Sequence, residues 1–218
     1  ADGLFTIQDE SSMLVSYARG ANGNDQVLDT CAAPGGKTTS IAEKLTDGQV
    51  VALDLHEHKV KLINETANRL GLDNITTYAF DARKVADKFA PESFDKVLVD
   101  APCSGLGVLR RKPDAKYAKS AEDVSRLATI QENILSAAAP LVKQGGTLVY
   151  STCTIDKEEN DGVVQAFLAT HPQFSLDSKL ADRLPEKVKP LVENNCLQLF
   201  PQDIESDGFF IACFRKEE

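Results

Sequence analysis

The sequence contains no long apolar segment, no internal repeat and no low-complexity tract. None of its hydrophobic runs approaches the roughly 20 residues that a membrane-spanning helix needs, and no segment resembles a signal peptide. Hydrophobic residues make up 42% and charged residues 26% of the 218 positions, as is typical of a soluble globular domain. These features exclude a disordered chain, a collagen-like repeat and a disulfide-stabilised miniprotein, and we expect a cytoplasmic protein with no membrane partner.

The sequence lacks the cysteine spacings that are typical of zinc sites and of disulfide frameworks. The five cysteines are odd in number, widely spaced and without a CxxC pair: Cys31, Cys103, Cys153, Cys196 and Cys213. We therefore expect no metal site, no disulfide framework and a reducing compartment. Each cysteine is by default a small buried hydrophobic residue, so only its position can indicate a further role.

Basic residues are in the minority. The chain has 24 Lys and Arg against 33 Asp and Glu, a formal net charge of −9, which argues against tight non-specific binding to nucleic acid. One basic stretch lies between Cys103 and Arg126, and its cationic residues are Arg110, Arg111, Lys112, Lys116, Lys119 and Arg126. A solvated loop and a local phosphate-binding patch both fit this stretch.

Short β-branched segments alternate with helical patterns. Strands are predicted at residues 26–30, 49–54, 74–78, 94–100 and 146–151, and helices at 37–45, 60–70, 124–141 and 158–169. This alternation predicts an α/β fold with a parallel sheet and right-handed crossovers. Residues 176–195 are predicted to be irregular, and 196–200 with 209–214 to form a C-terminal hairpin.

Acids and cysteines follow the predicted strands at one edge of this sheet. The segment DTCAAPGGK at 29–37 follows the first strand, Asp54 the second and Asp81 the third, while DAPCSG at 100–105 and STCT at 151–154 follow the fourth and fifth. In open parallel sheets, ligands bind beyond the carboxyl ends of the strands. Four acids and three cysteines at that edge are poorly explained by packing alone.

The turn at residues 34–36 lets the backbone approach a ligand closely, because it contains two glycines. It is not a phosphate loop, which needs a glycine at position 31, where the chain has Cys31, and it lacks the GxGxxG of a dinucleotide site. Asp54 follows about 20 residues later, where an acid can bind ribose hydroxyls. Adenosine recognition without a pyrophosphate fits S-adenosylmethionine (SAM); a plain glycine turn with a capping aspartate is the alternative.

Cys103 and Cys153 follow strands that are often neighbours in such sheets. A thiolate can add to C6 of a cytosine, which makes C5 nucleophilic towards a methyl donor; a base then removes the C5 proton and the thiol leaves. Asp100 can hold the edge of the base and favour protonation at N3. On this chemistry alone either thiol can be the nucleophile, and two purely structural cysteines are the alternative.

Three motifs in this order resemble those of the RNA 5-methylcytosine methyltransferases of the NOP/Sun type: DTCAAPGGKT at 29–38, DAPCSG at 100–105 and STCT at 151–154. Within that family the similarity is greatest to bacterial enzymes that act on 16S ribosomal RNA, and it extends from Phe5 to Phe210. The resemblance implies a class I SAM-dependent methyltransferase fold of Rossmann-like type. Its sheet is expected to be mostly parallel and seven-stranded, with helices on both faces and a C-terminal antiparallel hairpin.

The resemblance also implies roles for individual residues. The loop expected to surround SAM comprises Cys31, Ala32, Ala33, Pro34, Gly35, Gly36 and Lys37. Asp54 is expected to bind the ribose, Asp81 to lie on the adenine side and Asp100 to lie between cofactor and base. Cys153 of the Thr-Cys motif is the expected nucleophile. Cys103 of the Pro-Cys motif is expected to help resolve the covalent intermediate and release the RNA.

By the same resemblance, residues 23–218 form the catalytic domain and residues 1–22 lead into it. Because the sequence begins with Ala1 rather than Met, we expect a piece of a longer protein with an upstream NusB-like RNA-binding domain. The expected catalytic unit is a monomer without metal. Its expected partner is 16S ribosomal RNA, with a cytosine in the hairpin loop at nucleotide 967 as the target.

The target cytosine is expected to flip out of its loop into the pocket, while Arg110, Arg111, Lys112 and Lys116 contact RNA phosphates. Three alternatives stay open. The same chemistry can act on a transfer RNA or another ribosomal site. The protein can be an RNA-binding assembly factor without catalysis. A nucleoside triphosphatase is the third, and Cys31 argues against it.

Overall fold

Five parallel strands form the centre of the sheet in the computed structural model, which describes residues 3–20, 23–114 and 120–217. They are β1 (Gln26–Asp29), β2 (Gln49–Asp54), β3 (Ile75–Ala79), β4 (Phe94–Asp100) and β5 (Val142–Thr152). Their spatial order is β3-β2-β1-β4-β5, with every neighbouring pair parallel. The carboxyl ends of β1 and β4, the two central strands, therefore meet at one edge, as the sequence predicts.

Antiparallel strands complete the sheet beyond β5. They are β6 (Phe174–Leu176), β7 (Val192–Glu193), β8 (Cys196–Leu199) and β9 (Phe209–Lys216). The long strand β9 pairs with β5, β6 and β8, and β7 pairs with β8. The predicted fold class and C-terminal hairpin are thus confirmed. The described part of the chain has nine strands rather than seven, because β6 and β7 are too short to show a periodicity in sequence.

Helices cover both faces of the sheet. They are α1 (Glu10–Ala18), α2 (Gly36–Ala42), α3 (Glu57–Leu70), α4 (Ala121–Ala138), α5 (Val163–Thr170), α6 (Leu180–Arg183) and α7 (Pro201–Ile204). Short 3₁₀ turns lie at Ala82–Asp87, Ala139–Leu141 and Lys189–Leu191, and a π-helical turn at Glu158–Gly162 precedes α5. Among the described residues, none of these helices combines the length and apolar character that crossing a membrane requires.

Local signals explain most of the helix limits. Helix α3 ends at Gly71, which adopts the left-handed conformation typical of a C-terminal glycine. Helix α4 starts three residues before the predicted position, because Ser120 and Asp123 form a reciprocal capping box. Helix α1 has no counterpart among the predicted elements, although Asp9 caps its first turn through Ser11. Its Leu14, Val15 and Ala18 are buried.

Each central strand is buried on both sides, as expected for a parallel sheet. Successive residues of β4 alternate between the two layers: Val97 and Val99 pack with α4 and α5, whereas Leu98 packs with α1, α2 and α6. In β5, Leu148 and Tyr150 join the first layer and Val149 the second. This alternation fixes the register of β4 and β5, and with it the positions of the loops that follow them.

Candidate active site

A cavity of about 480 Å³ opens at the carboxyl ends of β1, β2, β4 and β5. Its volume lies in the range of small-molecule sites, roughly 300–1,000 Å³. The predicted site residues among those lining it are Cys31, Ala33, Asp54, Asp81, Asp100, Cys103 and Cys153. The fold thus brings residues from the carboxyl ends of all five parallel strands together around one space.

Asp54 forms the polar end of this cavity. The carboxylate is nearly buried, with 8% of the residue exposed, and it accepts the backbone N–H groups of Ala33 and His56, each at 3.3 Å. Lys59 Nζ lies 3.9 Å away. These donors orient the carboxylate and leave acceptor positions for further hydroxyl groups. Asp54 can therefore bind a diol such as that of a ribose.

The opposite walls of the cavity are apolar. Leu55, Ile130 and Ile134 line it and offer surfaces against which a flat heterocycle can pack. Asp81 lies at the rim, where it caps the 3₁₀ turn and forms an ion pair with Arg83 at 2.7 Å. SAM, which combines an adenosine with a sulfonium, fits a lining that offers the carboxylates of Asp54 and Asp100 beside apolar side chains.

The predicted cofactor loop after β1 contains a glycine turn and lines two neighbouring cavities. Gly35 has a φ of 108°, and a Cβ there would lie 3.2 Å from Ile63 Cα, so only glycine fits without strain. A second cavity of about 290 Å³ adjoins the first; its lining includes Cys31, Ala32, Ala33, Pro34, Gly36 and Lys37. Cys31 and Ala33 line both cavities and therefore separate them.

Lys37 points towards Asp100 across the site. Its Nζ lies 2.8 Å from Asp100 Oδ2, and Ser151 Oγ donates to Asp100 Oδ1 at 2.7 Å. Burial acts to lower the pKa of Lys37, but the charge and hydrogen bond of Asp100 outweigh it, so the pKa is raised. Lys37 is therefore positively charged at neutral pH. The sequence predicts only a cofactor contact for Lys37 and does not reveal its ion pair with Asp100.

The thiols of Cys103 and Cys153 are in contact, with their Sγ atoms 3.2 Å apart. The hydrogen bond from Cys103 lowers the pKa of Cys153, and Lys37 contributes, against burial and the charge of Asp100. The same hydrogen bond, together with burial, raises the pKa of Cys103. Cys153 is thus the thiol that ionises first and Cys103 the thiol that donates.

Burial shifts the pKa of two other groups, both in the segment that follows β1. Burial raises the pKa of Cys31 to about 12, so this thiol stays protonated. Burial also raises the pKa of Asp29 to about 7, although Thr38 Oγ1 donates to its Oδ2 at 2.7 Å. Asp29 supports the loop after β1 through that bond.

Arg110 and Arg111, the two arginines expected to contact RNA, are engaged in ion pairs. Arg111 pairs with Asp207, and Arg110 lies 3.5 Å from Asp9 and 3.8 Å from Asp207. Both arginine side chains are about half exposed and link the loop after Cys103 to the start of α1 and to the turn before β9. Lys112 is exposed, and Lys116 lies outside the described residues. Their contact with RNA stays a prediction.

Comparison with known proteins identifies the relatives of this arrangement. The family model described as 16S rRNA methyltransferase RsmB/F matches residues 18–215. Probable ribosomal RNA small subunit methyltransferase B of Bacillus subtilis (strain 168) is 56% identical over 217 residues, covering 99% of this chain and 48% of that protein. Ribosomal RNA small subunit methyltransferase F of Escherichia coli (strain SMS-3-5 / SECEC) is 41% identical over 219 residues, covering 99% and 46%.

Two solved structures of methyltransferases or their homologues are also similar to this chain. NSun6 from Pyrococcus horikoshii, crystallised with the SAM analogue SFG, is 32% identical with a TM-score of 0.85, covering 100% of this chain and 54% of that one. A methyltransferase homologue from the same organism is 31% identical with a TM-score of 0.80, covering 99% and 69%. The chain spans about half the length of the curated relatives it matches.

Proposed function

The chain belongs to the 16S rRNA methyltransferase family RsmB/F, and from this premise we propose that it methylates C5 of a cytosine in small-subunit ribosomal RNA. The observation that carries the proposal is the contact of Cys103 and Cys153 at 3.2 Å beside the Lys37–Asp100 pair. Covalent activation of a pyrimidine needs an ionisable thiol, a second proton-carrying group and charges at the edge of the ring. All of these groups line or adjoin one cavity.

SAM, when bound, supplies an activated methyl group. In this chain the carboxylate of Asp54 would accept hydrogen bonds from the ribose hydroxyls, and Leu55, Ile130 and Ile134 would enclose the adenine. Cys31 and Ala33 would pass behind the cofactor, because they form the wall between the two cavities. These residues bind and orient the methyl group and exclude water from it.

Cys153 is the proposed nucleophile. Its thiolate adds to C6 of the cytosine, the C5–C6 double bond breaks, and the ring accepts a proton at N3. Asp100 holds the polar edge of the base for this protonation, and the ammonium group of Lys37 offsets the negative charge that the thiolate brings. The C5 atom then carries the electron pair that forms the new bond to the methyl group.

Cys103 completes the cycle in this proposal. After methylation a base removes the C5 proton, the electron pair re-forms the C5–C6 double bond, the Cys153 sulfur leaves C6 as a thiolate, and N3 loses the proton that it accepted. Cys103 lies within contact distance of that sulfur and can donate a hydrogen bond to it, which stabilises the departing thiolate. Cys103 thereby assists release of the RNA.

The proposed target is a cytosine in 16S ribosomal RNA, at the hairpin loop of nucleotide 967. The identity of 56% to the B-type relative, against 41% to the F-type relative, supports the B-type target. Transfer RNA and other ribosomal sites are the alternatives, and we propose that residues 23–218 act as the catalytic domain of a longer protein.

The test is to supply 16S ribosomal RNA and transfer RNA together with SAM and to map 5-methylcytosine by bisulfite sequencing. The proposal predicts one methylated cytosine in the 16S hairpin with the unmodified chain. Cys153→Ala should abolish methylation, and Cys196→Ala, a substitution on β8, should retain it. Methylation confined to transfer RNA, or retained in Cys153→Ala, contradicts the proposal.

A further inference from the structure

Glu159 carries a carboxyl group that is fully buried, with 0% of the residue exposed. It lies in the π-helical turn Glu158–Gly162, five residues after the end of the STCT motif. A buried carboxylate is costly unless strong hydrogen bonds satisfy it. The sequence gives no sign of this burial, because Glu158 and Glu159 are adjacent and resemble the exposed first turn of a helix.

Among the described residues, uncharged groups donate hydrogen bonds to the carboxylate of Glu159. Oε1 accepts the backbone N–H of Ser104 and Nε2 of Gln131, each at 2.8 Å. Oε2 accepts the hydroxyl of Ser104 at 2.5 Å. Three donors to one buried group form a specific arrangement, and two of them come from the residue that follows Cys103.

The same donors extend the network to both sides of Cys103. Nε2 of Gln131 also donates to the carbonyl of Pro102 at 2.9 Å. The residues before and after Cys103 are therefore attached, directly or through one amide, to Glu159. On its other side Ser104 Oγ contacts Thr154 Oγ1 at 2.9 Å, which connects the carboxylate to the residue after Cys153.

The π-helical turn makes this arrangement possible. It places two consecutive side chains inside the protein: Asn160, like Glu159, is fully buried. Asn160 Oδ1 accepts the hydroxyl of Thr152 at 2.6 Å, and its Nδ2 donates to the carbonyl of Thr154 at 3.1 Å. One turn therefore fixes the residues on both sides of Cys153. Such turns are frequent at functional sites.

We propose that Glu159 is a positioning residue for the proposed methyl transfer: it holds the two cysteine loops in thiol contact and keeps the proton on Cys103, so that Cys153 is the thiolate. The distances and the burial carry this proposal. The proposal rests on the proposed function, but the reactivity of the two thiols can be measured without RNA. A failure of the two proposals can therefore be told apart.

The charges around the pair agree with this role. The negative charge of Glu159 acts, after the hydrogen bond to Cys153 and burial, to raise the pKa of Cys103. On the opposite side Lys37 acts to lower the pKa of Cys153, while Asp100 acts to raise it. Tyr150 on β5 is a further titratable group that interacts with Cys103, and Glu132 on α4 acts on Tyr150. Cys103 thus lies on the side of the Glu159 anion, whereas Cys153 lies on the side of the Lys37–Asp100 ion pair.

The experiment measures which thiol of the folded chain reacts with iodoacetamide. Samples are quenched at a series of times between pH 6 and pH 10, and peptide mass spectrometry gives separate rates for Cys103 and Cys153. The variant Glu159→Gln removes the charge and keeps the shape. The matched control is Glu158→Gln, which removes the same charge from the adjacent exposed position.

We expect Cys153 to react faster than Cys103 in the unmodified chain and in Glu158→Gln. In Glu159→Gln the ratio of the two rates should fall by about tenfold, which corresponds to one pKa unit between the thiols. An unchanged ratio in a folded Glu159→Gln overturns the proposal. Should that variant not fold, faster reaction of Cys103 than of Cys153 in the unmodified chain overturns it equally, and the reverse order supports it.

Methylation of RNA by the same variants separates the two proposals. A lowered rate ratio in Glu159→Gln together with lost methylation supports both. A lowered ratio in a chain that never methylates RNA, even with SAM bound, supports the role of Glu159 in the thiol pair and contradicts the proposed function.

Discussion

The Sγ atoms of Cys103 and Cys153 lie 3.2 Å apart, although 50 positions separate the two residues in the sequence. They meet because β4 and β5 are parallel neighbours whose register sets Asp100 opposite Ser151. Cys103 lies three residues after the end of β4, and Cys153 directly follows β5, so both cysteines lie at the same edge of the sheet. The contact is therefore a consequence of strand register, and it lowers the pKa of Cys153 while it raises that of Cys103.

Lys37 is expected to act on the reaction rather than on cofactor binding. Replacing it by Met removes the cation 2.8 Å from Asp100 and leaves an unbalanced negative charge beside Cys153. We expect the rate of methyl transfer to fall roughly 100-fold, with little change in the affinity for SAM. Initial rates with radiolabelled SAM and calorimetric titration of SAM measure the two quantities.

The control for this substitution is Lys61→Met, on an exposed position of α3, which should change neither quantity. A Lys37→Met variant that loses SAM binding but keeps its rate at saturating SAM would instead support the cofactor contact that the glycine loop suggests in sequence.

Asp54 is expected to bind SAM. Its replacement by Ala removes an acceptor for the ribose hydroxyls, and hydrogen bonds to charged groups contribute roughly 1.5–3 kcal/mol. The affinity for SAM, measured by calorimetry, should therefore fall about 10- to 100-fold. Asp73→Ala, at an exposed position, is the control and should bind normally. Unchanged affinity in a folded Asp54→Ala contradicts the placement of the ribose.

Gly107 is expected to hold the loop of Cys153 in place. Its N–H donates to the carbonyl of Cys153 at 3.0 Å, and its carbonyl accepts the N–H of Gly208 at 2.9 Å. A Cβ at this position would lie 2.2 Å from the oxygen of Gly208 and 2.8 Å from that of Cys153. Gly107→Ala must therefore displace the backbone next to Cys153.

We expect Gly107→Ala to lower the rate of methyl transfer by about 100-fold, since displacements near 1 Å can have that effect, while SAM still binds. The control is Gly71→Ala, at the end of α3 and outside the site, where a new Cβ would meet no atom within 4 Å. Equal loss of rate in both variants would show that the effect is not specific to the Cys153 loop.

Asp29 makes the stability of the fold depend on pH. Burial raises its pKa from the ordinary 3.8 to about 7, so between these values the folded state binds a proton that the unfolded state does not. The contribution of this group is therefore complete below about pH 4 and is lost as the pH rises through about 7.

The variant Asp29→Asn cannot ionise and should remove this dependence. We expect the difference in unfolding free energy between Asp29→Asn and the unmodified chain to grow, in favour of the variant, by a few kcal/mol from pH 4 to pH 8. Urea unfolding at four pH values measures it. Parallel curves for the two proteins would show that Asp29 is already ionised in the fold.

Much of the fold could be predicted from sequence because its signals are local. The β-branched segments at β2 and β4, with predicted limits that match the structure, are long enough to show their burial. Helix α1 and the short strands β6 and β7 could not be predicted in this way. Helix α1 has a weak hydrophobic pattern, and the two strands have only two or three residues each. All three elements depend on contacts with distant parts of the sheet.

The site divides in a similar manner. Its loops could be located because acids and cysteines follow the strands, and parallel topology brings strand ends together. The pairing of Lys37 with Asp100, the burial of Glu159 and the ion pairs of Arg110 and Arg111 could not be predicted. In each case the partner is distant in sequence, so composition around the residue indicates only an exposed charge.

The measurement that tests the central claim most directly is covalent trapping with a 16S hairpin that contains 5-fluorocytosine. Fluorine replaces the C5 hydrogen, so after methylation there is no proton to remove and the sulfur stays bonded to C6. A denaturing gel compares the unmodified chain with Cys153→Ala, Cys103→Ala and Cys196→Ala. The account predicts a SAM-dependent adduct in every lane except Cys153→Ala. An adduct that persists in Cys153→Ala and disappears in Cys103→Ala would contradict it.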